Sequence, residues 1–127
     1  MNNKTLVYIL RAIAVVQFLL GGLFLAAPAQ TAALLGLSVA PRWTAWLFGM
    51  MAARFLGYGY GMLVAARAPE QNRSWIVSMM AIQAIDWLVT AIYLYTNAVT
   101  LAQVSTAAFL PLVFIILVWR NLPRASA

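Results

Sequence analysis

The chain has 127 residues, of which 65% are hydrophobic and 8% charged; eight basic and two acidic side chains give a net charge of +6, and there is neither Cys nor His. Soluble domains are about one quarter charged and just under half apolar, so this composition belongs to a protein whose solvent is hydrocarbon. Without thiols or imidazoles there are no disulfides, thiol nucleophiles, haem axial histidines, ordinary zinc sites or imidazole bases, and the two carboxylates, Glu70 and Asp86, are too few for a metal cage or a paired-carboxylate hydrolase.

A helix of roughly 20 apolar residues crosses a hydrocarbon core of about 30 Å, and four stretches are long enough: residues 5–27, 43–66, 74–96 and 101–119. Backbone groups find no water in lipid, so spans this apolar are helices, and the alternation of a β-barrel is absent. The expected fold is therefore all-α: a polytopic four-helix transmembrane bundle forming one domain over residues 1–127.

The first span follows Lys4 and ends at Pro28. Its end, Ala27-Pro28-Ala29, has the look of a signal-peptidase site, but the run is too long for a signal-peptide core and contains Arg11, so it reads as a span. Gln17 lies near its centre, and Ala14 and Gly21 give it a small-residue surface. Pro28 then opens a short helix that Gly36 closes, which places a brief interfacial helix in the first connecting loop.

The second span follows Pro41-Arg42 and carries Arg54 at its centre. Its later half reads Gly57-Tyr-Gly-Tyr-Gly61, a small-xxx-small spacing that lets helices approach closely; with no preceding strand it is not a dinucleotide fingerprint. The polar run 67–73 precedes the third span, which has Asp86 at its centre. Gln83, Asp86, Thr90, Tyr93 and Asn97 are spaced 3, 4, 3 and 4 apart and share one stripe. The fourth span starts with Thr100, Gln103, Ser105 and Thr106, and Pro111 predicts a kink by freeing the carbonyl of Ala107.

A charge at the centre of a span costs about 2.5 to 3.5 kcal/mol on insertion scales, while a Leu or Phe contributes only about 0.3 to 0.6. Arg54 and Asp86 are therefore expected to pair across the second and third spans, with Gln17 and Gln83 satisfying their remaining donors and acceptors. Small residues close the half holding the Gly57 repeat, and the polar stripe opens the other, so a cavity is expected there with Arg54 and Asp86 at its floor. Its candidate ligand-binding residues are Arg54, Asp86, Gln17, Gln83, Thr90, Tyr93, Tyr58 and Gln103. A purely structural reading stays open: the pair fixes the bundle, and the hydroxyls bond back to their own helices.

Basic residues near the span ends set orientation. Lys4, Arg67, Arg73, Arg120 and Arg124 fall on one side and Arg42 on the other, which predicts cytoplasmic termini and a cytoplasmic loop at 67–73. Arg11 is expected to snorkel to the same side. Tyr8, Trp75 and Trp119 fit that boundary, and Trp43, Trp46, Tyr93 and Tyr95 the opposite one. The positive charge thus speaks for membrane lipids as partners; no basic run is dense enough for nucleic acid.

Phe24-Leu-Ala-Ala-Pro28, Leu34-Leu-Gly-Leu37, Ala53-Arg54-Phe-Leu-Gly57 and the basic loop before the third span resemble the small four-helix bacterial membrane proteins related in outline to DoxX. DoxX-type proteins are associated with respiratory or redox complexes at the quinone level, so the resemblance implies an accessory subunit, multi-pass in a bacterial cytoplasmic (inner) membrane. No catalytic residue carries over; Arg54 and Gly57 match the group's characteristic element.

Three functions compete. The leading one is a non-catalytic protein, without a resident cofactor, that binds a hydrophobic or amphiphilic molecule such as a lipid or quinone between its helices, alone or in a larger complex. The second is a proton-coupled transporter or channel working as a homo-oligomer, with Asp86 as the protonatable site. The third is an intramembrane isomerase with Asp86 as general acid and Tyr58 or Tyr93 nearby; one acid without His or Cys leaves few ways to complete a catalytic pair.

Overall fold

The computed structural model describes residues 3–123, so Arg124, counted above among the basic residues, lies outside the described residues. Five helices follow one another: α1 (Asn3–Ala26), α2 (Pro28–Leu34), α3 (Thr44–Arg67), α4 (Arg73–Tyr95) and α5 (Leu101–Asn121). No strand occurs among the described residues. The four long helices have the length and apolarity to cross a membrane, and every end falls within two residues of the span read from the sequence. The fold is an all-α bundle with a short fifth helix after the first span.

The helix ends follow local chemistry. Pro28 opens α2, whose preset φ suits a first turn, and Gly36 (φ 70°) reverses the chain after it. There the Leu37 N–H donates to the Ala32 carbonyl at 3.1 Å and the Gly36 N–H to the Ala33 carbonyl at 2.9 Å. Asn97 (φ 58°) does the same for α4: the Ala98 N–H donates to the Tyr93 carbonyl at 3.0 Å and the Asn97 N–H to the Leu94 carbonyl at 3.1 Å. Asn97 is thus a turn residue, which its tolerance of positive φ explains, rather than the top of a polar stripe.

The four long helices form a ring in the order α1, α3, α4, α5, each antiparallel to its neighbours. α1 packs along much of α3, and α4 along α5, whereas the seams between α3 and α4 and between α1 and α5 are sparse. Gly21 explains the first tight pairing: a Cβ there would stand 3.2 Å from the Ala52 carbonyl oxygen and 2.9 Å from Leu56.

The ring is filled at one end only. Leu6, Leu10 and Ile13 of α1, Met62 and Ala65 of α3, Ile76 and Met79 of α4, and Val118 of α5 are fully or almost fully buried. They belong to the half where α1 begins and α5 ends, and Arg73 Nε ties that end by donating to the Pro123 carbonyl at 3.2 Å. This is the closed half expected from the sequence, but its glycines work differently. A Cβ on Gly61 would overlap the Trp75 ring, so Gly61 admits an indole rather than a neighbouring backbone, and Gly57 has nothing within 4 Å. Leu19, Leu88, Phe109 and Ile116 lie on the outer surface, as an apolar solvent allows.

The bend in α5 is not at Pro111. Proline already holds a helical φ and interrupts one hydrogen bond, and the backbone around it stays helical; the departure is at Val104 (φ −119°, ψ 20°). Just before it, Gln103 is tethered to another element, so the first turn is drawn aside where it is held.

Candidate functional site

The half of the ring opposite the core encloses a cavity of about 350 Å³. Its walls come from all four long helices: Val16, Gln17, Leu20 and Phe24 of α1, Met51, Arg54 and Phe55 of α3, Gln83, Asp86, Val89 and Thr90 of α4, and positions from Val104 to Phe114 of α5. Leu35 and Leu37, on either side of the Gly36 reversal, line it from the loop. In helix order Val16, Gln17, Gln83 and Phe114 are the deepest of these from α1, α4 and α5, and Leu35, Leu37 and Gln103 lie toward the opposite end.

Arg54 and Asp86 meet across the sparse α3/α4 seam. The Nη2 of Arg54 donates to both carboxylate oxygens, at 3.0 and 3.2 Å, and the guanidinium lies 5.4 Å from the Phe55 ring centre. The side chains are 39% and 31% exposed, so the pair stands in the wall of the bundle, with one side on the cavity and the other on the surroundings. A pair in that position is the main polar link across the seam, and it leaves the remaining guanidinium donors free for a second acceptor.

Gln17 and Gln83 do not complete this pair. Both are buried, at 4% and 7% exposure, and both aim their Nε2 at the sulfur of Met79, at 3.9 and 3.5 Å. The cause is geometric: α1 and α4 face each other across the ring's diagonal, and Met79, one turn below Gln83, lies between the two amides and the core. The amides thus form the cavity's deep end, with Arg54 and Asp86 beside it rather than beneath it.

The other expected site residues divide. Thr90 lines the cavity, but its hydroxyl donates to the Asp86 carbonyl of its own helix at 2.8 Å. Gln103 lines it too, with its amide engaged: Oε1 accepts the Thr100 N–H at 2.9 Å, and Nε2 donates to the Gly36 carbonyl at 2.9 Å. Gln103 therefore caps α5 and fastens the loop that carries Leu35 and Leu37. Tyr58 is not in the cavity; it packs edge-on against Trp75, ring centres 5.7 Å apart, in the closed half. Tyr93 is also outside, 53% exposed one turn beyond Thr90, where a phenol suits an interface.

Sequence reasoning missed the apolar lining. Phe24 packs between Phe48 and Phe55, with ring centres 5.4 and 6.3 Å away, and Phe24 and Phe55 give the cavity an aromatic wall that adjoins Arg54. Phenylalanines in an apolar span carry no signal of their own. Met79 had one, its position four residues before Gln83, and the Leu residues around Gly36 another, being too apolar for a solvated turn.

Chemically, this is a mostly apolar chamber with a few convergent polar groups and no net charge in its lining, an arrangement suited to holding a molecule that is part apolar and part polar. No protein-family model, curated protein or solved structure matches the chain.

Proposed function

We propose that this protein is a non-catalytic, multi-pass membrane protein that holds a hydrophobic or amphiphilic small molecule, such as a lipid or a quinone, between its helices, alone or as an accessory subunit of a membrane complex. The observation that carries this reading is the one-sided filling of the ring: a core at one end and a chamber of about 350 Å³ at the other, with Arg54, Asp86, Gln17 and Gln83 as its strongest polar groups. The outline resemblance to DoxX-type proteins agrees with it. In this reading Arg54 hydrogen-bonds the ligand, and Asp86 holds the guanidinium in position.

The basic residues support an orientation with the closed half cytoplasmic, which opens the chamber toward the outer leaflet, and the outline resemblance supports a bacterial inner membrane. Conduction through a single bundle has less support, because the buried core from Leu6 to Val118 blocks the axis. Catalysis has less as well, since Asp86 is the one carboxylate in the lining.

Native mass spectrometry of the protein released from its own membranes tests the reading. A co-purifying small molecule is expected on the wild type, reduced in Arg54→Ala and retained in the lipid-facing variant Leu88→Ala. A spectrum with bare protein alone in all three counts against it.

A further inference from the structure

The two buried glutamines have more hydrogen-bonding capacity than the protein uses. A primary amide offers two donors and two lone pairs. Among the described residues Gln17 and Gln83 each use one donor, on the weakly accepting sulfur of Met79, and their amide oxygens accept nothing. Among the described residues no buried side-chain nitrogen or oxygen is sealed from space without a partner, so these oxygens reach accessible volume, and both residues border the cavity. Two amides that are more than nine-tenths buried thus present both donors and acceptors to one chamber.

Charge narrows the ligand further. Arg54 is the one cation in the lining, and the Asp86 carboxylate neutralises it through two contacts at 3.0 and 3.2 Å. A phosphate or carboxylate head would bring an uncompensated negative charge into a low-dielectric site or would have to displace Asp86 from its partner, and either is costly. An uncharged oxygen-bearing head meets no such penalty and finds matching donors and acceptors on the amides.

Resting on the ligand-binding reading above, we propose that the chamber selects an uncharged head group carrying carbonyl or hydroxyl oxygens, seated on the amides of Gln17 and Gln83, and discriminates against anionic heads. The apolar remainder lies along Leu20 and Phe24 of α1 and Leu110 of α5, away from the ion pair. Quinones and neutral glycerides share this chemistry.

Equilibrium dialysis of the full chain in neutral detergent, with three decyl-tailed probes, tests the proposal: decylbenzoquinone, 1-decanoylglycerol and decyl phosphate. At least one neutral probe is expected to bind about tenfold or more tightly than decyl phosphate, and the neutral probe that binds identifies the head as quinone or glyceride. Gln17→Met and Gln83→Met keep side-chain volume and remove the amide, so each is expected to weaken the neutral probe about tenfold. Decyl phosphate binding as tightly as the neutral probes, or unchanged affinity in both folded Met variants, overturns the neutral-head proposal and leaves the ligand-binding reading standing. Failure of all three probes to bind the wild type overturns both. The wild-type comparison decides the matter even where a Met variant does not fold.

Discussion

Arg54 and Asp86 are each unfavourable at the centre of an apolar span and tolerable together, so their energetics belong to the pair. Removing one partner leaves the other uncompensated, whereas replacing both with apolar groups removes the problem. Asp86→Ala is therefore expected to lower stability by about 1 to 3 kcal/mol, with the Arg54→Met, Asp86→Leu double variant recovering most of the loss. Reversible unfolding in mixed micelles measures both; an equal loss in the single and the double variant would assign the effect to packing instead. The pair was readable from sequence because charge and mid-span depth are both counted directly. The destination of Gln17 and Gln83 was not, because their partner is a thioether, which a polarity reading treats as filler, and because the α1/α4 diagonal is a property of the assembled ring.

At the scale of elements, the three glycines of the Gly57-Tyr-Gly-Tyr-Gly61 repeat in α3 look alike in sequence and differ in surroundings. Gly61 is pressed by the Trp75 ring, and Gly57 faces open space. Gly61→Ala should cost about 1 to 3 kcal/mol by pushing the indole away, while Gly57→Ala should be neutral or stabilising by up to about 1 kcal/mol through helix propensity. Thermal unfolding in detergent separates the two, and a comparable loss at both positions would mean that Gly57 also faces a partner. Helix positions and ends were readable because hydrocarbon thickness, Pro28, Gly36 and the polar run 67–73 fix them locally. The bend was misplaced at Pro111 because the tether from Gln103 to the Gly36 carbonyl, 67 residues away, has no local signature. Tyr58 was misassigned for a similar reason: its ring partner is on the next helix.

At the scale of the molecule, two tight helix pairs meet along two sparse seams, and the filling is confined to one end. Which helices pair tightly was hidden, since all four spans are similarly apolar and ring order depends on complementary surfaces such as Gly21 against Ala52. That one half would be closed and the other open was visible from the distribution of Thr, Gln and Gly along the spans, whereas the mostly apolar lining of the open half was not. The chamber and the ion pair in its wall are what the functional account rests on. An experimental density map of the full chain in lipid nanodiscs tests them together. The account predicts Arg54 and Asp86 in contact across α3 and α4, with elongated non-protein density running from Gln17 and Gln83 along Leu20, Phe24 and Leu110. Collapsed walls with Phe24 and Leu110 filling the chamber, or the two charged groups turned apart, would contradict it.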